Sequence, residues 1–206
     1  MEIVILPDSF KGSMSSKEAC DIATSVLKTE FPEANVVAFP IADGGEGTCD
    51  ALIEATKGKK IPINVPNADG KAIDTYYGQL GDSDRAIIEV AKIVGKTGTT
   101  KNVFERTTYG VGKCIKDALD KGFKNIIVST GGSTTNDAGI GLLTALGVRF
   151  YNKSGKKLNE QTRSILEVSQ VDFSGLDERL IDVELILASD VSNQLLGESG
   201  ASFVYG

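Results

Sequence analysis

Short apolar runs bounded by glycine-rich polar turns alternate along this chain with stretches whose apolar residues recur at helical spacing. Ile3 to Leu6 is continuous and apolar, which predicts a buried strand, and Pro7 ends it. Ser15 or Ser16 then caps a predicted helix running to about Lys28, with Ala19, Ile22, Ala23, Val26 and Leu27 on its buried face. Asn35 to Phe39 predicts a second strand, so the chain opens on a βαβ unit whose crossover should be right-handed. A helix through Ala51, Leu52 and Ala55 follows. From Lys60 the rhythm changes. Ile61–Val65, Ala72–Leu80 and Arg85–Val90 predict a three-stranded meander with turns at 67–70 and 81–84. That shift puts a domain boundary near 60–66, dividing residues 1–65 from 66–206. Tyr109 to Lys121 predicts a helix burying Val111, Ile115, Ala118 and Leu119. Ile126–Val128 predicts a strand, and Ile140 to Leu146 a helix stopped by Gly147. Val148–Tyr151 and Val183–Leu187 complete the strands; 164–171 reads equally as helix or strand. Phe203, Val204 and Tyr205 begin a further strand or helix.

The polar stretches between these elements carry the candidate chemistry. Between Val128 and Ile140 lie Ser129, Thr130, Gly131, Gly132, Ser133, Thr134, Thr135, Asn136 and Asp137, almost all small or polar. Paired glycines let backbone approach a ligand without a Cβ, and free N–H groups at a helix start attract anions. The alternative is an ordinary Ser/Thr-capped turn; two adjacent glycines among five hydroxyl residues favour the anion site. After the first strand, Asp8, Ser9, Lys11 and Ser13 crowd round Gly12, either as a solvated loop or as a site at a strand's carboxyl end. After the second, Asp43 and Glu46 stand among Gly44, Gly45 and Gly47, either as helix-capping carboxylates or as a close-approach loop. Glu89 is an acid at the end of a predicted strand, facing solvent or a site.

Composition narrows the chemistry. The chain has 206 residues, 41% hydrophobic and 24% charged, as globular proteins do. The net charge of −6 without a basic block argues against nucleic acid, so an anionic substrate has to be met by local donors. No apolar run reaches membrane-spanning length, and MEIVILPDSF lacks the features of a signal peptide. Cys20, Cys49 and Cys114 fit neither a metal motif nor a disulfide framework, which points to the cytoplasm. There is no histidine. That removes Ser-His-Asp hydrolases, Cys-His pairs and His-ligated zinc, leaving carboxylate, Lys, Tyr or Cys for proton transfer. Gly95-Lys96-Thr97 lacks the first glycine of a P-loop, and Gly110 and Gly112 begin a dinucleotide fingerprint that Ile115 breaks.

ILPDSFKGSMSS, PIADGGEGT, GGSTTNDAGIGLLTALGVRF and ASDVSNQLLGESGA occur in the order in which the bacterial type I glycerate kinases carry similar blocks. IIEVA and NVFERTTYGVG add to the resemblance, which runs from Glu2 to Gly206. It implies an α/β fold of two lobes. One is flavodoxin-like, a parallel three-layer lobe begun by residues 1–65; the other is an inserted mixed-sheet lobe, and the chain is truncated at the C-terminus relative to the family. It also implies transfer of the ATP γ-phosphoryl group to D-glycerate with Mg²⁺, at the 2-hydroxyl. The alternative is a truncated, non-catalytic anion-binding fragment of such a kinase.

On this reading Lys11 clamps phosphate and Asp190, at the end of the strand VELIL, is the candidate base. Asp8, Ser9, Gly131, Gly132, Ser133, Thr134, Asn136 and Asp137 bind substrate or phosphate, and Asp43 and Asp8 hold Mg²⁺. The expected partners are D-glycerate and ATP, with neither nucleic acid nor membrane, and a homodimer or larger self-association through the apolar tail Phe203–Tyr205 and part of the first sheet.

Overall fold

The computed structural model describes residues 1–10 and 12–204. The chain opens on β1 (Glu2–Ile5), α1 (Ser16–Glu30) and β2 (Asn35–Ala38), with the two strands paired in parallel. Ser15 and Glu18 close a capping box: Ser15 Oγ accepts the Glu18 N–H at 3.2 Å, and the Glu18 carboxylate accepts the Ser15 N–H at 2.8 Å. Only part of the expected inner face of α1 is covered. Ala19 and Cys20 are buried, whereas Ile22 and Val26 are more than half exposed. The amphipathic stripe is wider than the two strands beneath it, and among the described residues no third strand joins them.

The expected meander is present as β3 (Lys59–Pro66), β4 (Ala72–Gln79) and β5 (Arg85–Glu89), preceded by α2 (Thr48–Thr56). Next come α3 (Val90–Val94), α4 (Tyr109–Asp120), β6 (Asn125–Ser129), α5 (Ile140–Ala145) and β7 (Arg149–Tyr151). β8 (Gln170–Asp172), β9 (Glu184–Ala188) and α6 (Ala201–Val204) follow, and Tyr205 lies outside the described residues. The ambiguous stretch divides into a 3-10 turn at Thr162–Glu167 and then β8, which pairs with β7.

β3–β4–β5–β6–β9 form one mixed sheet, antiparallel from β3 to β5 and parallel from β5 to β9. Alternation along β5 and β6 gives the sheet two apolar faces. Ala86, Ile88, Ile126 and Val128 pack under α4 with Val111, Ile115 and Tyr77; this is the main core. Ile87 and Ile127 face α2, packing against Cys49 and Ile53. The expected boundary at 65/66 falls within β3. β3 pairs with β4 along all of Lys59–Pro66, and α2 covers the same sheet. Burial of each large apolar side chain is worth roughly 1.5–3 kcal/mol, so these residues are held to the five-stranded sheet and not to β1–β2.

Candidate active site

The carboxyl ends of β5, β6 and β9 bring three loops together. The Gly131 N–H donates to Gly44 O at 3.0 Å, and the Thr130 N–H to Ala188 O at 3.0 Å. A Cβ on Gly131 would stand 2.7 Å from Gly45 Cα, so only glycine lets these two backbones meet. Gly132 has φ +73°, in the left-handed region, and is exposed; its N–H and that of Ser133 have no hydrogen-bond partner among the described residues. Gly131, Gly132 and Ser133 thus stay together in a loop open to a ligand.

The helix expected to lend this loop its positive end does not do so. α5 starts only at Ile140 and is a turn and a half long, and its first donors are taken. Gly141 N–H goes to Asp137 Oδ2 at 3.2 Å and Leu142 N–H to Thr108 Oγ1 at 2.9 Å. Asp137, expected to bind ligand, is buried. Its carboxylate also accepts the Thr108 N–H at 2.8 Å, the Thr108 hydroxyl at 2.7 Å and the Gly139 N–H at 3.1 Å. Asp137 therefore ties α4 to α5, and no ligand donor is needed to satisfy it. Thr134 is likewise committed, its N–H and hydroxyl both reaching Val94 O, while Arg106 holds Thr134 O at 2.8 Å. Asn136 accepts from Ser202 at 3.3 Å.

Glu89 answers the question its sequence position left open. It is 1% exposed and faces α2, accepting the Gly47 N–H at 3.1 Å and the Cys49 N–H at 2.9 Å. Burial pushes its carboxyl above the ordinary range, against the opposing pull of Lys92 and those two N–H groups. It fixes the entry to α2, and with it the Gly44–Gly47 loop. Beside it in register lies Ser129, whose hydroxyl is buried without a partner among the described residues.

In front of Glu89 is a cluster that the sequence did not announce. Asp50 accepts from Lys92 Nζ at 2.7 Å, from Lys60 Nζ at 2.8 Å and from Tyr76 OH at 2.8 Å. Lys92 Nζ also stands 4.0 Å from Glu89 Oε1 and 4.8 Å from the Tyr76 ring centroid. Asp50, Lys60 and Lys92 line a cleft of about 670 Å³ whose other side is the β1–α1 segment, with Ser9 and Ser13. The four residues of the cluster come from α2, β3, β4 and α3, and no local spacing links them. Glu89 and Lys92 are three apart, but a strand end falls between them, which hides the pairing.

The remaining expected residues are placed as follows. Ser9 lines the cleft; Asp8 is exposed beside it and accepts the Ser9 N–H at 2.6 Å. Asp43 is exposed next to the glycine loops and accepts the Gly45 N–H at 3.0 Å. Asp190 is exposed just beyond β9, two residues after the carbonyl that receives Thr130. Lys11 lies outside the described residues. No group of three His, Cys, Asp or Glu side chains gathers among the described residues. Asp8 and Asp43 each keep one carboxylate oxygen clear of hydrogen bonds among the described residues, a donor set that suits Mg²⁺ arriving with substrate phosphates.

A model described as the glycerate kinase family matches residues 3–206. The chain belongs to the glycerate kinase family. A glycerate kinase of Bacillus cereus is 40% identical over 209 residues, covering all of this chain and 55% of that protein. A glycerate 2-kinase of Escherichia coli is 38% identical over the same share of each. A crystal structure described as a glycerate kinase 2 of Salmonella typhimurium LT2 superposes with a TM-score of 0.86 at 37% identity, covering all of this chain and 57% of that one. The chain thus spans about half the length of the glycerate kinases it matches. The mixed α/β fold with parallel strands is the one seen in that crystal structure.

Proposed function

We propose that this chain carries the acid-binding and phosphoryl-transfer loops of a glycerate kinase, which moves the ATP γ-phosphoryl group to the 2-hydroxyl of D-glycerate. The observation that carries the reading is the junction of the Gly44–Gly47, Thr130–Ser133 and Ala188–Asp190 loops at the carboxyl ends of β5, β6 and β9, beside the cleft. Phosphoryl transfer asks a protein mainly for positioning and charge neutralisation. The unpaired Gly132 and Ser133 N–H groups supply donors for a phosphate oxygen. Asp190, unpaired among the described residues, takes the proton of the attacking hydroxyl as that hydroxyl's oxygen bonds to the γ-phosphorus and ADP leaves with the bridging oxygen. Asp43 and Asp8 would hold Mg²⁺, which offsets phosphate charge when bound with ATP.

The same reading divides the fold into two lobes. β1–α1–β2 begins a flavodoxin-like lobe, and the five-stranded sheet with its helices is the inserted lobe, the division falling in residues 39–47. The three cysteines are all free, as in a cytoplasmic protein, and no described helix is long and apolar enough to cross a membrane. A second reading is an anion-binding piece without catalysis, which the unpaired Gly132 and Ser133 N–H groups would serve by themselves. Incubation with Mg-ATP and D-glycerate, followed by ³¹P NMR, tests the first. A phosphomonoester signal dependent on both substrates is expected; D-glycerate binding by calorimetry with no such signal would establish the second instead.

A further inference from the structure

The Asp50 cluster is built at a cost that a surface salt bridge does not carry. Lys92 keeps only 19% of its side chain exposed, and removing an ammonium from water costs several kcal/mol unless it is well paired. Its one hydrogen-bonded carboxylate, Asp50, is shared with Lys60 and with the Tyr76 hydroxyl. Two ammonium groups thus share Asp50 at the cleft wall, and Lys92 also stands 4.0 Å from Glu89 Oε1. Glu89 lies behind them, and its two N–H bonds point it at α2 and not into the cleft. Other acids of the cleft are occupied or peripheral: Glu18 binds Ser15, Glu54 faces Lys17 at 3.7 Å, and Glu46 is exposed. Across the cleft the Ser9 and Ser13 hydroxyls have no partner among the described residues. Lys92 therefore faces the cleft with Asp50 and Glu89 as its acidic neighbours, across from serine hydroxyls.

We propose that Lys92 binds the carboxylate of the hydroxy-acid substrate in this cleft. Asp50 and Tyr76 are positioning residues that hold its ammonium in place, and Lys60 closes the far side of the anion. A three-donor ammonium on Asp50 retains donors for a second oxyanion. The serines of the cleft suit the hydroxyls of a small polyhydroxy acid. This inference rests on the kinase reading and assigns the acid's end of that site.

Calorimetric titrations of D-glycerate, glycerol, inorganic phosphate and ATP into the chain and its Lys92→Gln variant test it. Glycerol keeps the hydroxyls without the carboxylate. D-glycerate should bind and glycerol should not, and Lys92→Gln should weaken D-glycerate by about tenfold or more while leaving ATP unchanged. Unchanged D-glycerate affinity in a folded Lys92→Gln protein overturns the proposal. So does a loss confined to phosphate or ATP, which would place Lys92 at the phosphoryl end. If D-glycerate does not bind the unaltered chain while ATP does, the acid site is refuted and the kinase reading survives; binding of neither refutes both. If Lys92→Gln does not fold, acylation of the unaltered chain followed by peptide mass spectrometry decides. D-glycerate should slow modification of Lys92 relative to the exposed Lys113, and an unchanged ratio overturns the proposal.

Discussion

Two aspartates of the candidate site separate by the company they keep. Asp137 is buried with donors from Thr108, Gly139 and Gly141, so Asp137→Asn turns an amide NH₂ toward groups that also donate. Leaving such donors unsatisfied costs about 1–3 kcal/mol. The expected outcome is a melting temperature lower by roughly 2–4 °C for each kcal/mol lost, read by calorimetry. Asp190 is exposed and has no hydrogen bond among the described residues, so Asp190→Asn should leave stability within about 0.5 kcal/mol. In a kinase assay it should lower kcat by roughly 10²-fold, because an amide cannot take the hydroxyl proton. Near-native kcat would remove Asp190 from the mechanism. Asp50 adds a pH dependence. Burial alone would raise its carboxyl, but hydrogen bonds from Lys60, Lys92 and Tyr76 outweigh burial and hold it below the usual range. A lowered carboxyl stabilises the fold above its unfolded value of about 4, and that contribution is lost as pH falls through the lower folded value. The stability gap between the unaltered chain and Asp50→Asn should therefore shrink from pH 6 towards acid, measured by thermal melts; a constant gap would contradict it.

At the level of elements, the loop junction rests on one absent side chain. A Cβ at position 131 would meet Gly45 Cα at 2.7 Å and Gly44 O at 3.0 Å, both backbone and unable to rotate away. Gly131→Ala should push the Gly44–Gly47 loop off β6 and break the Gly131–Gly44 hydrogen bond. The core between the sheet and α4 is remote from this contact, so the variant should still fold. Amide NMR shifts confined to residues 43–49 and 129–133, with weakened ATP or D-glycerate binding, are the expected result. Unchanged ligand affinity would detach the junction from function. α1 shows the opposite case: its capping box defines where it starts, but Ile22 and Val26 stay exposed because covering them needs sheet that β1 and β2 do not supply.

For the whole molecule, apolar surface is left uncovered at β1–α1–β2 and β9, among other places. Val4 is 61% exposed, Phe10 61% and Leu187 71%, and Leu6, Ile22, Val26 and Phe39 are each above half. β1–β2 is a two-stranded sheet and β9 is the edge of the larger one, so both also offer unpaired backbone. Exposed apolar side chains beside unpaired strand edges favour association. The isolated chain should form dimers or larger species, and light scattering that reports a monomer at high concentration would refute this. Replacing Val4 and Leu187, both on exposed strand positions, with Lys should shift the population toward monomer.

The sequence by itself determined the elements and the glycine-rich loops between them. Helical spacing located α1 and α4, apolar runs broken by polar turns located β3, β4 and β5, and glycine clusters after strands marked the loops that join at Gly131. These signals are local: a dihedral preference or a hydrophobic period is written within a few residues. Tertiary structure decided which polar atoms remain for a ligand. Asp137 and Thr134 look like binding residues in the sequence, yet partners about 30–40 positions away consume their hydrogen bonds. Asp50 and Lys92 look like ordinary surface charges, yet they meet across 42 positions at the cleft. Hydrogen-bond satisfaction and burial are sums over all neighbours in space, so only the packed sheet and its helices could assign them.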